Sequence, residues 1–355
     1  MNKNSEQAVL RILDASANRV GEGLRTVEEW ARFALDGEAL SAELKAIRHQ
    51  VSTALAVLPR TSLLAARDTL GDVGTKISQD TERVRDSASG VVAAGISRTG
   101  QSLRVIEEYL KTINADAAAT IEQARYRFYT ASANLELLIA AQDRQSRMQD
   151  ARLYALIDAG TNEAEFQATV TTLCESGVDV LQLRDSSSDD RTLIARARIG
   201  TEIARKCSVL FIMNDRADLA LAADCDGVHV GQEELPGPVA RKIVGHDRIV
   251  GISTHSIDQA IQAVADGADY IGCGPVFPSR TKSFDEFAGL EYVREVSAQI
   301  QIPSFAIGGI NESNLDQVIK SGCCRIALTA ALRDCEDVTA TATRFKKKLM
   351  SANLK

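Results

Sequence analysis

From Leu153 onward the chain alternates between two kinds of segment, and this alternation restricts its fold more than any other feature. Eight short apolar runs recur: LYALI (153–157), VLQL (180–183), VLFIM (209–213), GVHV (227–230), RIVGI (248–252), YIGCG (270–274), SFAIG (304–308) and RIALT (325–329). Helix-like stretches such as EAEFQATVTTLCES, RTLIARARIGTEIARKC, DQAIQAVADG and ESNLDQVIKSG lie between several of them. Parallel strands need long crossovers, so strand–helix alternation predicts a parallel sheet. Eight repeats in about 200 residues predict a closed (β/α)8 TIM barrel over residues 149–355. An open doubly wound sheet is the competitor. Against it, the DAGTNEAE that follows the first run carries no GxGxxG dinucleotide fingerprint.

Residues 1–148 follow a different grammar. Ala, Leu, Glu and Arg dominate, strand signal is nearly absent, and Pro59 is the one proline. Ile12, Ala15, Val20, Leu24, Val27 and Phe33 recur near helical spacing, as do Ile96, Leu103, Ile106 and Leu110. NRVGEGLRTVEEW, from Asn18, returns as SRTGQSLRVIEEY from Ser97 with six of thirteen positions identical. At the same offset Arg48 matches Arg127. The reading is an all-α bundle with an internal repeat, two related helical hairpins each burying the other's apolar stripe. The Gly-rich stretch Arg67 to Ile77 between them reads as a structured loop, and 140–152 as a polar helix tail entering the linker.

The composition is that of a soluble multidomain protein, with 45% hydrophobic and 25% charged residues. A formal charge of −7 argues against general nucleic-acid binding. The first residues lack the basic-then-apolar layout of a signal peptide, and no apolar run is long enough to span a membrane. All seven cysteines lie in the second half without a CxxC pair, which suits reduced thiols in a cytoplasm.

Functional groups of a parallel barrel gather where strands end. Polar residues cluster there: Gln182 and Arg184 after the second run, Asn214 and Asp215 after the third, His229, Gln232, Glu233 and Glu234 around the fourth. Ser253, Thr254 and His255 follow the fifth, GPVFPSRTKS the sixth, and Thr329 and Ala330 the eighth. Strand starts show no such pattern. Gly308-Gly309 either cradles an anion with bare backbone N–H groups or makes a tight turn. Ser279, Thr281 and Lys282 either hold a diphosphate or form an exposed loop. Asp215 and Glu234, after adjacent strands, either share a hard cation such as Mg2+ or cap helices. His229, with no second His nearby, suits packing or a hydrogen bond at the barrel mouth better than metal ligation. No activated nucleophile is evident, and GxSxG is absent. Cation, diphosphate loop and phosphate cradle point to chemistry driven by a diphosphate leaving group.

Residues 153 to about 335 resemble the thiamine-phosphate synthase family through QLRD (182–185), FIMNDRADLAL (211–221), DGVHVGQEEL (226–235), GISTH (251–255), DYIGCGPVFPSRTK (269–282) and FAIGGI (305–310). The resemblance implies a transferase that joins 4-amino-5-hydroxymethyl-2-methylpyrimidine diphosphate to 4-methyl-5-(2-phosphooxyethyl)thiazole. Diphosphate leaves first, and the thiazole nitrogen captures the pyrimidine methylene cation. It implies pyrimidine diphosphate contacts at Gln182, Arg184, Asn214, Ser253 and Lys282, and Mg2+ at Asp215 and Glu234. Thiazole phosphate would meet Ser279, Thr281, Gly309, Thr329 and Ala330. Three positions depart from the family pattern: Ser186 stands where Lys is usual, Glu234 where Asp is usual, and Ala330 where Ser is usual. Losing the lysine weakens diphosphate binding unless Arg216 or Arg280 replaces it. The alternative within the fold is a thiazole tautomerase-like relative, against which Asp215, Lys282 and Arg184 argue.

The first half resembles a helical domain that precedes thiamine-phosphate synthase in some bacteria, through NRxxEGLRxxEE and RDxxGDVGT, Arg67 to Thr75. That resemblance implies phosphorylation of hydroxymethylpyrimidine phosphate with ATP. No P-loop is present, so the phosphate-binding candidates are Arg19, Arg25, Arg98 and Arg104, with Asp72 for the metal. The competing reading is a non-catalytic module that makes a homo-oligomer, its helix surface laced with ion pairs such as Arg25 to Glu28 and Glu29.

Overall fold

Among the described residues the first unit is built from α1 (Lys3–Phe33), α2 (Glu38–Leu55), α3 (Arg60–Ala66), α4 (Ala88–Leu110) and the start of α5 (Ala115–Asp150). The computed structural model describes residues 3–73, 84–85, 87–278 and 287–352. The chain divides into two units, Met1–Ile139 and Ala140–Lys355, so the division falls within α5.

The buried stripe of α1 is Leu13, Val20, Leu24, Val27 and Ala31, a helical period that meets Leu44, Ile47 and Val51 of α2, Leu103 and Ile106 of α4 and Phe128 of α5. Phe33, expected on that stripe, is 69% exposed, because two steps past Ala31 it has rotated out of the face. Helices α1 and α4 approach closely where Gly23 faces Thr99, since a β-carbon on Gly23 would lie 2.2 Å from the Thr99 hydroxyl. Ser87 caps α4 by accepting the Gly90 N–H at 3.1 Å.

Each apolar run of the second half is a strand: β1 (Leu153–Ile157), β2 (Val180–Leu183), β3 (Leu210–Asn214), β4 (Gly227–Val230), β5 (Ile249–Thr254), β6 (Tyr270–Cys273), β7 (Ser304–Ile307) and β8 (Ile326–Leu328). They pair in parallel and in order, and β8 returns to β1, closing the eight-stranded barrel. Helices follow the strands: α6 (Glu163–Glu175), α7 (Asp190–Lys206), α8 (Ala217–Ala222), α9 (Gly237–Val244), α10 (Ile257–Ala265), α11 (Gly289–Gln299), α12 (Leu315–Lys320), α13 (Ala330–Arg333) and α14 (Val338–Ser351). The open-sheet alternative is thereby excluded.

Strand periodicity divides the second unit's apolar residues into two cores. Tyr154, Leu156, Val180, Leu210, Ile212, Ile249, Tyr270 and Phe305 fill the barrel. Alternate residues such as Ala155, Leu181, Phe211, Val228, Val250 and Ile271 pack under the helices. No helix among the described residues is long and apolar enough to cross a membrane.

Strand starts do carry a pattern, contrary to expectation. Asp179, Asp226 and Asp269 stand immediately before β2, β4 and β6 and accept N–H groups from the strand before: Leu153 at 2.9 Å, Phe211 at 2.9 Å and Val250 at 2.7 Å. Each is paired with a cation, Lys346, Arg144 and Arg241 respectively. These carboxylates satisfy backbone donors at the barrel's amino end, where conserving the sheet rather than chemistry is at stake.

Candidate active site at the carboxyl end of the barrel

Strand β2 points Gln182 into the barrel, 3% exposed, where its Nε2 donates to the Tyr154 hydroxyl at 2.9 Å. Two residues on, Arg184 is exposed at the mouth and makes no ion pair with a described residue. Asp185 organises the turn that follows. It accepts Ser187 N–H at 2.7 Å, Ser187 Oγ at 2.6 Å, Ser188 Oγ at 3.0 Å and Ala159 N–H at 3.2 Å. Burial alone would raise its carboxyl, but these donors hold it down to about 2. Asp185, which its place in QLRD does not mark out, stiffens the loop carrying Arg184 and Ser186.

At the end of β3, Asn214 donates to the Asp215 carboxylate. Asp215 has φ +58°, in the left-handed region, and its N–H donates to the His229 carbonyl at 2.7 Å. That backbone bond fixes it beside β4, with Asn214 paired to His229 in register. Glu234 is exposed on the loop after β4, its carboxylate over Gly231, where a β-carbon would come within 2.2 Å of Oε2. Asp215 and Glu234 thus stand after two paired strands. Among the described residues no group of three or more His, Cys, Asp or Glu could hold a metal ion.

Arg216, one of the two expected replacements for the missing lysine, is engaged by two carboxylates. It grips Asp190 at 2.6 and 3.0 Å and Asp218 at 2.9 and 2.7 Å. Both pairs raise its pKa further.

His229 is half-buried, its Nδ1 3.0 Å from the Tyr270 hydroxyl and its Nε2 2.9 Å from Ser253 Oγ. The mouth hydrogen bond expected of it is therefore present. Burial, then the Arg184 charge, push its pKa down to about 4. Gln232 donates to the Ser253 carbonyl at 2.6 Å. Thr254 turns away from the mouth and donates to the Gly272 carbonyl at 2.9 Å. Tyr154 and Tyr270, whose hydroxyls lie 2.9 Å apart, carry no functional signal in the sequence, because tyrosine in an apolar run looks like core.

After β7, Gly308 and Gly309 have φ +98° and +65°. A β-carbon at 309 would lie 2.4 Å from the Pro278 carbonyl, so the absence of a side chain there lets Phe277 and Pro278 pass close by. Asn314 donates to the Gly309 carbonyl at 2.9 Å. Thr329 and Ala330 stand at the start of α13. Ser279, Arg280, Thr281 and Lys282 lie outside the described residues. A separate surface cleft of about 700 Å3, between Asn311–Ser313 and Arg344, is lined by none of the expected site residues among those described.

In the helical unit Arg25 pairs with Glu29 at 3.0 Å, and Arg104 with Glu107 and Glu108, both at 2.8 Å. Arg19 and Arg98 are exposed without an ion pair among the described residues, although Arg98 Nε donates to the Ala94 carbonyl at 3.2 Å. The loop after α3 is tied to α1, because Arg67 binds Asp14 through two 2.8 Å bonds and Arg11 donates to the Asp68 carbonyl at 2.7 Å. Asp72 is exposed on that loop.

Comparisons with known proteins agree across both units. Residues 153–332 match the model of the family described as thiamine monophosphate synthase, and residues 11–134 match the ThiD2 family. A thiamine-phosphate synthase of Rhodopirellula baltica is 47% identical over 98% of this chain and 94% of that protein. Its counterpart in Gloeobacter violaceus is 43% identical over 97% of this chain and 98% of that protein. Among solved structures, thiamine phosphate pyrophosphorylase from Pyrococcus furiosus is similar with a TM-score of 0.51 and 32% identity, covering 58% of this chain and 98% of that one.

Proposed function

Since the chain belongs to the thiamine monophosphate synthase family, we propose a residue-level account of how its barrel makes thiamine phosphate. The protein is a transferase, a thiamine-phosphate synthase carrying an N-terminal ThiD2-family region. The observation that carries this is likeness over 98% of the chain to a named synthase. Its substrates are the pyrimidine diphosphate and the thiazole phosphate.

In this account Gln182, Arg184, Asn214 and Ser253 hold the pyrimidine diphosphate, with Lys282 on the loop after β6. Thiazole phosphate meets the backbone N–H groups at Gly309, Thr329 and Ala330, and the Ser279 and Thr281 hydroxyls. Asp215 and Glu234 offer hard oxygen donors after paired strands, and Mg2+ suits two carboxylates completed by water and substrate oxygens. The ion would supply positive charge to the diphosphate oxygens. The chain's own contribution is position and charge. Arg184 neutralises diphosphate as it departs, and Gln182 orients the ring so that its methylene faces the thiazole nitrogen. No protein nucleophile is needed for this dissociative route.

We further infer that the helical unit, two related hairpins, phosphorylates hydroxymethylpyrimidine phosphate with ATP. The ThiD2-family match supports this, and the exposed guanidiniums of Arg19 and Arg98 are its best phosphate ligands, ahead of the ion-paired Arg25 and Arg104. Asp72 is its carboxylate candidate. Seven unpaired thiols fit work in a reducing cytoplasm.

The test uses the full-length protein. With pyrimidine diphosphate, thiazole phosphate and Mg2+ it forms thiamine phosphate and releases diphosphate; no product would refute the account. With pyrimidine monophosphate and ATP in place of the diphosphate, thiamine phosphate still forms. Product in the first mixture alone would leave the helical unit a non-catalytic module, checked by whether its removal changes the oligomeric state.

A further inference from the structure

We infer that Tyr154 and Tyr270 are positioning residues that set the tautomer of His229 and thereby make the Ser253 hydroxyl a fixed hydrogen-bond donor to an anionic substrate oxygen. This rests on the reading of Ser253 as a diphosphate contact and adds to it a reason for the two buried tyrosines.

Four hydrogen bonds run in series from the barrel interior to its mouth. Gln182 Nε2 lies 2.9 Å from Tyr154 Oη, Tyr154 Oη 2.9 Å from Tyr270 Oη, Tyr270 Oη 3.0 Å from His229 Nδ1, and His229 Nε2 2.9 Å from Ser253 Oγ. The amide N–H can only donate, so Tyr154 receives from Gln182 and passes its single hydroxyl hydrogen to Tyr270. Tyr270 must then donate to Nδ1, which leaves the imidazole proton on Nε2. Nε2–H donates to Ser253, whose own hydrogen is the one left over at the end of the series. In the reverse direction Tyr154 would meet two donors and keep a buried hydrogen without an acceptor. A buried hydroxyl left in that state has lost its hydration with nothing to replace it.

The strands are built around these rings. A β-carbon on Gly251 would lie 2.1 Å from Tyr270 Cζ, and one on Gly272 would touch His229 Cε1 at 3.4 Å. Both glycines face the barrel interior, and Gly251 leaves its space to the Tyr270 ring. The Tyr270 ring also packs edge-on to Phe305 at 5.8 Å, which holds its hydroxyl in line.

The experiment is ring 15N NMR of histidine-labelled full-length protein without substrate, alongside steady-state kinetics. His229 is identified among the four histidines by the signals that vanish in His229→Asn. Expected in the wild type is a proton on Nε2 and a bare, hydrogen-bonded Nδ1. Tyr270→Phe should give mixed tautomers and raise KM for the pyrimidine diphosphate about tenfold, leaving KM for the thiazole phosphate in place. A wild-type proton on Nδ1, or an unchanged tautomer in Tyr270→Phe, overturns the inference. Should that variant not fold, Tyr154→Phe removes the donor upstream and should also give mixed tautomers; an unaltered ring there is equally fatal. The tautomer is read without turnover, so an inactive protein with the Nε2 proton refutes only the coupling reaction. An active one with the Nδ1 proton refutes only this inference.

Discussion

The Tyr270 hydroxyl lies 2.5 Å from where a β-carbon would stand on Gly251, one strand away. Side-chain volume missing from β5 is therefore used by β6. Gly251→Ala should destabilise the barrel by about 1–3 kcal/mol through overpacking, and should raise KM for the pyrimidine diphosphate by pushing Tyr270 off His229. Urea unfolding and initial rates check the two effects. A variant of wild-type stability and KM would mean that the interior yields more easily than the distances imply.

Asp215→Ala should lower the coupling rate by about a hundredfold or more with both substrates supplied, since it removes one of the two hard donors after paired strands. Chelation should stop wild-type turnover and added Mg2+ restore it. Diphosphate release measures both, and near-normal rates in the variant would remove the metal assignment.

Ser186→Lys should improve binding of the pyrimidine diphosphate. Arg216 is held by Asp190 and Asp218, so it does not replace the lysine usual in the family. An exposed ammonium at 186 should lower KM by about threefold, and more at low salt. If KM is insensitive to the substitution at every ionic strength, diphosphate does not pass near this loop.

In the helical unit Arg125 Nε meets Glu107 at 2.7 Å, with the side chains only 6% and 0% exposed, and the guanidinium lies 4.4 Å over the Tyr126 ring. Arg125→Ala would leave a buried carboxylate served only by Lys111 and Arg104, and should cost about 3 kcal/mol. Thermal unfolding of the full chain, compared between variant and wild type, reads this; a loss below about 1 kcal/mol would show that the other two cations suffice.

The same carboxylate makes the unit acid-sensitive. Burial alone would raise the Glu107 pKa, but hydrogen bonds from Arg125 and Lys111 and the nearby charges hold it below its ordinary 4.5. A lowered folded-state pKa gives stability that is complete above 4.5 and is lost as pH falls through the folded value. The stability difference between wild type and Glu107→Gln should thus be constant near neutrality and shrink below about pH 4.5. Denaturation midpoints across pH 3–7 would decide it, and a constant gap throughout would sink the idea.

Several features were legible before any coordinates. Strand and helix periods differ enough that all eight strands could be marked to within a residue or two. Parallel barrels put their chemistry at strand ends, so Gln182, Arg184, Asn214, Asp215, Glu234 and Ser253 could be singled out as candidates from position. Illegible were groups whose role depends on a partner far away in the chain. Tyr154 and Tyr270 are 116 residues apart and look like core. Asp179, Asp226 and Asp269 look like ordinary loop acids until register places a backbone N–H beside each.

By itself, then, the sequence determined the alternation that closes the barrel, the helical character of the first unit, and which residue types line the mouth. These follow from local periodicity, which each segment carries within its own few residues. Only the tertiary structure decided that Arg216 is already occupied, that His229 is held between two hydroxyls, and that the glycine of β5 makes room for the tyrosine of β6. Those outcomes depend on distances between strands and loops, and such distances exist only once the sheet has closed.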